Sequence, residues 1–237
     1  KSRLGRFRQP DDVCNGPDVR VPSPHHRTRH PGATLTAPEI ELVAFDLGNV
    51  LCTVDEATPA NRLAELSGYT PVEVHDAVFS RQHKQLFESG EISFQQHASQ
   101  AIAELGITMS VGEFTDIYDG ALIPSDAMFP LVSRIAESHR IALVSNTSEP
   151  HWEYARKFLP FSAKLDPVIV SYAVGSMKPD PEFYGALFAR AGVAANRILF
   201  VDDLPVNIEA AEKAGMIGHV FTSRAELEGT LSDLGVV

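Results

Sequence analysis

Continuous apolar runs that end in polar side chains are the clearest pattern in this chain. The first run, ELVAF, ends at Asp46, and comparable runs are RIALVSN at 140–146, DPVIVS at 166–171 and RILFVDD at 197–203. Such runs are typical of strands that are buried on both faces of a parallel sheet. GHVFTS at 218–223 is a fifth candidate strand. The pattern therefore predicts a parallel sheet of four or five strands.

Helical patterns separate these runs. MFPLVSRIAES precedes the second run, PEFYGALFARAG follows Lys178, and PVNIEAAEKAG follows the fourth run. Asp180 and Pro181 predict the N-cap and first residue of the second helix, and Gly215 predicts the C-cap of the third. Alternating strands and helices indicate an α/β fold, a doubly wound sheet with helices on both faces.

One long segment, residues 53–124, breaks the alternation and shows no convincing strand. It contains four helix starts, the last three with the sequence of a capping box: Thr58-Pro59, TPVE at 70–73, SFQQ at 93–96 and SVGE at 110–113. Ligands of open α/β sheets bind beyond the carboxyl ends of the strands, which is where this segment is inserted. We therefore predict a core of residues 39–52 and 125–237, with a helical cap over its site. A helical decoration remote from the site is the alternative.

Composition is that of one globular domain, or one domain with a sizeable insertion. The chain has 237 residues, of which 44% are hydrophobic and 22% charged. No apolar run approaches the roughly 20 residues that cross a membrane, and the basic start KSRLGRFRQPDD is not followed by the apolar stretch of a secretory signal. Two cysteines, Cys14 and Cys52, give no disulfide framework. We expect a cytoplasmic protein without a membrane partner.

The net charge of −11 is unevenly distributed. Up to Ala37 there are seven Lys and Arg against three acids, which gives about +4, so the rest of the chain carries about −15. This balance argues against nucleic acid as a partner, and an anionic substrate needs a local positive pocket. Residues 1–38 are rich in Pro, Arg and His, and we expect a disordered extension there. HHRTRH at 25–30 has residue types that bind metal or nucleic acid, although a solvated tail is the simpler interpretation.

Polar residues of complementary types follow the apolar runs. In chain order they are Asp46, Ser145 and Asn146, Lys178, and Asp202 and Asp203. The carboxyl ends of parallel strands meet at one edge of a sheet, so we expect these side chains to lie together.

These residue types point to phosphoryl chemistry. Asp46 beside Asp203 and Asp202 forms a group of like charges that a hard cation neutralises, and oxygen ligands select Mg²⁺. Ser145, Asn146 and Lys178 are the types that hold phosphate oxygens. An Asp46 carboxylate within reach of a phosphoryl group can attack it and form an aspartyl-phosphate.

Four segments in the order FDLGNVL, LVSNT, SMKPDPEFY and FVDDLPVNI resemble the four-part pattern of the haloacid dehalogenase superfamily of hydrolases. The resemblance runs from about Glu41 to the end of the chain. It implies a Rossmann-like core, a helical cap after the first segment, Asp46 as the nucleophile and Mg²⁺ as the cofactor. It also implies that the backbone carbonyl of Gly48 binds the metal, that Asp203 is a direct ligand, and that Asp202 occupies a more variable position.

Gly48 departs from the pattern, because most phosphatases of the superfamily carry there an aspartate that acts as general acid. DLGNV, together with FESGEIS at 87–93, resembles the branch that contains bacterial glucose-1-phosphate phosphatases and the phosphatase domain of soluble epoxide hydrolases. A metal-bound water or a good leaving group makes the acid less necessary. Otherwise the histidines of the predicted cap, His75, His83 and His97, are the candidates to supply the proton.

We therefore expect a Mg²⁺-dependent phosphomonoester hydrolase that acts on a small phosphorylated metabolite, with a sugar phosphate as one candidate, as a monomer or homodimer. Two alternatives stay open. A haloacid dehalogenase attacks carbon without a metal, although such enzymes carry an aromatic residue at the place of Gly48. A non-catalytic binding protein keeps the fold and lacks the acid, although this chain retains Asp46, Lys178 and the Asp202–Asp203 pair.

Overall fold

The structure is a computed structural model that describes residues 39–237. The predicted extension, residues 1–38, and its HHRTRH segment lie outside the described residues. The strands are β1 (Leu42–Phe45), β2 (Cys52–Val54), β3 (Leu122–Pro124), β4 (Arg140–Ser145), β5 (Leu165–Val170), β6 (Ile198–Asp202) and β7 (Ile217–Val220). The helices are α1 (Ala57–Ser67), α2 (Pro71–Phe79), α3 (Arg81–Glu88), α4 (Phe94–Glu104), α5 (Val111–Asp119), α6 (Phe129–Ile135), α7 (Glu149–Phe158), α8 (Ser171–Val174), α9 (Pro181–Ala191), α10 (Pro205–Lys213) and α11 (Arg224–Asp233).

Within residues 39–237, five strands form one parallel sheet in the order β5-β4-β1-β6-β7. The prediction of a parallel sheet is confirmed, including its weaker fifth strand. Strand β1 is central, and Phe45 at its end is level with Leu143 of β4 and Val201 of β6. The residues that follow these positions therefore lie side by side at one edge of the sheet.

Each face of the sheet has its own hydrophobic core, which is why β1 is apolar at every position. Val43 and Phe45 pack on one face with Leu131 and Trp152, whereas Leu42 and Ala44 belong to a second cluster on the other face. All four side chains of β1 are fully buried. A strand covered by helices on both sides cannot alternate apolar and polar residues, and this explains the continuous run that the sequence shows.

The predicted ends of two core helices agree with the structure to within one residue. Helix α9 begins at Pro181 after Asp180, although the Asp180 side chain makes no capping hydrogen bond. Helix α10 ends at Lys213 with Ala214 as its C-cap, one residue before Gly215, which has a φ of +95°. No helix among the described residues has the length and apolar character needed to cross a membrane.

Helices α1–α5 pack around a separate hydrophobic cluster whose centre includes Leu63, Val74, Phe87, Phe114 and Tyr118. All three predicted capping boxes are present. The side chains of Thr70, Ser93 and Ser110 each accept a hydrogen bond from the backbone N–H of the third residue of the following helix, and the side chain of that third residue accepts one from the backbone N–H of the capping residue. These local signals set the starts of the helices independently of tertiary contacts.

Helix α1 differs from the prediction, since it begins at Ala57 and not at Thr58-Pro59. The Asp55 carboxylate accepts hydrogen bonds from the backbone N–H groups of Ala57 and Thr58, at 3.0 and 3.3 Å. An aspartate that precedes the first turn therefore supplies the cap that the sequence analysis assigned to Thr58.

The expectation that residues 53–124 contain no strand is wrong. Strands β2 and β3 pair antiparallel, with Thr53 opposite Ile123, and form a two-stranded ribbon where the chain leaves the core and returns to it. Each strand has three residues, too few for a period of two to be visible in the sequence. Strand β2 crosses the first predicted boundary between core and cap, and β3 ends at the second, so the junction consists of two paired strands and not of two loops.

Gly90 brings the cap into close contact with the core. It lies in the turn after α3 and has a φ of +78°, a region that only glycine adopts readily. A Cβ at this position would lie 2.8 Å from the carbonyl oxygen of Tyr172 on α8. The contact fixes the end of α3 against the core. A second contact is the stack of Tyr118 on His151 of α7, with ring centroids 4.1 Å apart.

Gly90→Ala is expected to destabilise the protein more than Gly68→Ala. Both residues have left-handed φ values, +78° and +79°, so both substitutions carry a backbone cost of about 1 kcal/mol. A Cβ at Gly68 meets open space, whereas at Gly90 it meets the Tyr172 carbonyl, which adds about 1–3 kcal/mol. Urea unfolding of both variants measures the difference. Equal losses of stability would show that the contact between Gly90 and Tyr172 is not close in solution.

Candidate active site

The ammonium group of Lys178 lies at the centre of the carboxyl edge of the sheet. Its Nζ is 2.9 Å from Asp46 Oδ1 and 2.6 Å from Asp202 Oδ2, and it donates to the Val144 carbonyl oxygen at 2.9 Å. An ammonium group has three N–H donors, so these contacts use its full capacity. Burial opposes the charged form, but Asp46 and Asp202 outweigh it and raise the pKa of Lys178. The lysine is therefore a fixed positive charge.

Asp202 is fully buried and its carboxylate is surrounded by donors of the protein. Oδ1 accepts from the Leu204 N–H at 2.9 Å and from Asn207 Nδ2 at 3.0 Å, while Oδ2 accepts from Lys178. Asp202 was predicted among the metal-binding residues, as a ligand or as a supporting group. Because both of its oxygens accept hydrogen bonds from the protein, Asp202 positions Lys178 in this structure.

Three carboxylates form an acidic group at this edge. Oxygens of Asp46, Asp202 and Asp203 all lie within 4.8 Å of one another. Asp46 is at the end of β1, and its Oδ1 also accepts from the Leu47 N–H at 2.7 Å. Burial raises the pKa of Asp46 to about 6, although Lys178 acts in the opposite direction. Mg²⁺ prefers oxygen ligands, and several carboxylate oxygens lie close together here, so the donor set fits the predicted cofactor.

The two predicted phosphate-binding residues on the second segment differ in what their side chains do. Ser145 ends β4 and is buried, and its hydroxyl lowers the pKa of Asp46. The Asn146 side chain instead pairs with the backbone of Lys178: Nδ2 donates to the carbonyl oxygen at 2.9 Å, and Oδ1 accepts from the N–H at 2.8 Å. The Asn146 amide thus positions Lys178, which differs from the expectation that it holds phosphate.

The loop after Asp46 contains a residue that the sequence analysis missed. Asn49 has a φ of +55°, which asparagine tolerates better than most residues. Its Nδ2 donates to Asp203 Oδ2 at 3.0 Å, and its Oδ1 accepts from the Val54 N–H at 3.3 Å. Asn49 therefore ties Asp203 to the nucleophile loop and to β2. The asparagine in DLGNV, directly after glycine in a turn, was the available signal.

Gly48 has little room for a larger residue. A Cβ at this position would lie 3.1 Å from Cγ2 of Val54, so an aspartate there requires Val54 to shift. Strand β2 therefore packs against the loop at the position where most phosphatases of the superfamily carry the second acid.

A cleft of about 460 Å³ connects the acidic group with the cap. On the core side it is lined by Asp46, Lys178 and Asp203, and on the cap side by Glu56, Lys84 and Glu88. Lys84 forms an ion pair with Glu56. Residues of the inserted helical segment thus line the same cleft as Asp46.

The three cap histidines lie away from this cleft. His75 is 3.2 Å from Glu56 Oε2, and His83 contacts Ser80 and the Asp76 carbonyl oxygen. His97 is buried against Phe87, with ring centroids 4.4 Å apart. The residues that line the cleft in the described part of the chain include none of the three histidines. The expectation that one of them supplies the missing proton is not supported by the structure.

Residues 40–215 match a family described as haloacid dehalogenase-like hydrolase. Flavin mononucleotide hydrolase 1 of Arabidopsis thaliana is 37% identical over 91 residues, which are 38% of this chain and 37% of that protein. D-ribitol-5-phosphate phosphatase of Bacteroides thetaiotaomicron is 23% identical over 187 residues, which are 74% of this chain and 89% of that protein. The match thus spans little more than a third of the first relative and most of the second.

Solved structures share the fold. A HAD family enzyme of Bacteroides thetaiotaomicron, crystallised with magnesium and inorganic phosphate, superposes with a TM-score of 0.69 at 20% identity. The alignment covers 79% of this chain and 98% of that enzyme, so the core and the inserted helices are both included.

Asp202→Asn is expected to destabilise the protein much more than Asp203→Asn. Asp202→Asn removes the charge opposite a buried ammonium and costs about 3 kcal/mol of unfolding free energy. Asp203 is half-buried and in a group of like charges, so Asp203→Asn changes stability by no more than about 0.5 kcal/mol. Chemical denaturation in the presence of a chelator measures both. Similar losses for the two variants would contradict the assignment of Asp202 to Lys178.

Proposed function

This chain belongs to the haloacid dehalogenase-like hydrolase family, and we propose that it hydrolyses phosphate monoesters with Asp46 as the nucleophile. The observation that carries the proposal is the position of Asp46: it follows the central strand, contacts the Lys178 ammonium at 2.9 Å, and lines a cleft to which residues of the inserted helices also contribute. The printed names of relatives, a flavin mononucleotide hydrolase and a ribitol-5-phosphate phosphatase, support phosphate esters as the substrate class.

The proposed reaction has two steps. A carboxylate oxygen of Asp46 attacks phosphorus, and the bond from phosphorus to the alcohol oxygen breaks, which leaves an aspartyl-phosphate and the alcohol. Water then attacks phosphorus, inorganic phosphate leaves, and the Asp46 carboxylate is regenerated. Lys178 stays charged beside the reacting atoms and stabilises the negative charge that the transferring group carries. The hydroxyl of Ser145 favours the charged form of Asp46, and we propose that Ser145 also contacts the phosphoryl oxygens.

We propose Mg²⁺ as the cofactor, held by Asp46, the backbone carbonyl of Gly48 and Asp203. When bound, the ion neutralises charge on the phosphoryl group. Asn49 keeps Asp203 beside the loop of the nucleophile, and Asp202 acts through Lys178. The HAD family enzyme crystallised with magnesium and phosphate supports this assignment by analogy of fold.

The lining of the cap suggests the kind of alcohol that is released. Glu56, Lys84 and Glu88 present charged and polar groups to the cleft. Glu56 and Lys84 pair with each other, but an apolar leaving group would bury the Glu88 carboxyl without a hydrogen-bond partner. A small alcohol with several hydroxyl groups can hydrogen-bond to all three. We therefore propose a small polyhydroxylated phosphate ester as the substrate, with a sugar or polyol phosphate as the first candidate.

Asp46→Asn is expected to reduce kcat for phosphate ester hydrolysis by about 10⁴-fold or more, because an amide does not attack phosphorus. Asp126→Asn, at an exposed acid outside the cleft, is the control and is expected to keep the activity of the parent. Thermal unfolding checks that both variants are folded. Substantial turnover by purified, folded Asp46→Asn would remove Asp46 from the role of nucleophile.

Chelation distinguishes the proposal from a dehalogenase. With EDTA we expect hydrolysis of sugar phosphates, polyol phosphates and p-nitrophenyl phosphate to stop, and Mg²⁺ to restore it. Asp203→Asn is expected to raise the Mg²⁺ concentration at half-maximal rate by about 10-fold or more. Release of halide from 2-haloacids that persists in EDTA, without phosphatase activity, would favour attack at carbon.

A further inference from the structure

Glu88, the last residue of α3, is a buried carboxyl group that faces the cleft without a partner. The residue is 7% exposed and lines the cleft together with Asp46 and Lys178. Among the described residues, no side chain or backbone group forms a hydrogen bond or an ion pair with its carboxyl group. Lys84, one turn earlier on the same helix, is engaged by Glu56. Burial of an acid without such contacts costs stability, and acids of this kind are typical of functional sites.

The position of Glu88 is fixed from both sides. Phe87 points into the cap, where it packs edge-on against Phe94 and Tyr118. Gly90, two residues further on, presses against the Tyr172 carbonyl of the core. The helix end is thus held between the two parts of the molecule, with the Glu88 side chain in the cleft between them. Such support is what a catalytic group requires of its surroundings.

The other acids and bases of the cleft are already engaged. Glu56 contacts Lys84 and His75, and Asp203 accepts from Asn49. Gly48 offers no side chain. Of the titratable groups that line the cleft in the described part of the chain, Glu88 is the one on the cap that no neighbour occupies.

We propose that Glu88 is the general acid and base of this enzyme, and that it supplies from the cap the proton transfer that Gly48 cannot. The inference rests on the proposed phosphatase function. In the first step, Glu88 donates its proton to the alcohol oxygen as the bond from phosphorus to that oxygen breaks. In the second step, the Glu88 carboxylate takes a proton from the water that attacks the aspartyl-phosphate. The sum is ester plus water to alcohol plus phosphate, and Glu88 ends protonated as it began.

The electrostatic surroundings suit this role. Burial raises the pKa of Glu88 to about 7, with Lys84 on its own helix acting in the opposite direction. Glu56 and Asp46 raise the pKa further and Lys178 lowers it, while Tyr118 of α5 stays uncharged at neutral pH. A carboxyl group whose pKa lies near the working pH can both donate and accept a proton.

Glu88→Gln, assayed in single turnovers on esters of graded leaving group, tests the proposal. Without a proton donor the departing oxygen carries more charge, so poor leaving groups suffer most. We expect the rate of phosphoryl transfer to fall by about 10²-fold or more with glycerol phosphate and by less than about 10-fold with p-nitrophenyl phosphate. Glu91→Gln, at an exposed acid three residues away and outside the cleft, is the matched control and is expected to change neither rate.

The pH profile gives a second readout that a structural role would not change. In the parent enzyme the transfer rate with glycerol phosphate is expected to fall as the pH rises above about 7, because Glu88 then loses the proton that it must donate. This descending limb should disappear in Glu88→Gln. Glu88→Asp retains a carboxyl group and is expected to restore part of the rate with glycerol phosphate.

The outcomes separate the two proposals. A uniform loss on all esters, or no loss on any, in a folded Glu88→Gln protein would overturn the role of Glu88 and leave the phosphatase proposal standing. If Glu88→Gln does not fold, Glu88→Asp decides: a loss with glycerol phosphate no larger than with p-nitrophenyl phosphate overturns the role. A parent enzyme that is inactive on every ester with Mg²⁺ would overturn the proposed function, and the role of Glu88 with it.

Discussion

The carboxyl edge of the sheet is organised by one buried ammonium group. Lys178 comes from the loop between α8 and α9, yet its contacts are the carbonyl oxygen of Val144 on β4, Asp46 after β1 and Asp202 on β6. A charge without water is tolerated only when opposite charges and acceptors surround it. The three strands must therefore end at the same level. The order of the sheet, with β1 between β4 and β6, satisfies this condition.

Most of the core sheet and three helix starts of the cap were predictable, because local sequence patterns are sufficient for both. Apolar runs mark strands that are covered on both faces, and the capping boxes at Thr70, Ser93 and Ser110 mark helix starts. The ribbon of β2 and β3 was not predictable, because strands of three residues depend on their partner and not on their own sequence. The same is true of Asn146: its residue type suggested a ligand, but only the fold shows that its amide is used by the Lys178 backbone.

The part of the site that comes from the cap illustrates the same limit. FESGEIS was visible in the sequence, but an acid at the end of a helix is normally solvated. Glu88 is buried because Gly90 meets the Tyr172 carbonyl of the core, a contact between residues far apart in the chain. The histidines were the more obvious candidates by residue type, but none of the three is among the described residues that line the cleft. Residue type alone does not show which side chains reach a cleft.

The acidic group at the end of β1 and β6 has a consequence for the order in which ligands arrive. Asp46, Asp202 and Asp203 with Lys178 have a formal charge of −2, and at this edge the dianion of a phosphate ester meets net repulsion. A divalent cation brings the sum to zero. If the proposed cation and ester both bind at this edge, electrostatics would favour an ordered addition, in which the cation binds before the ester and inorganic phosphate departs before the cation.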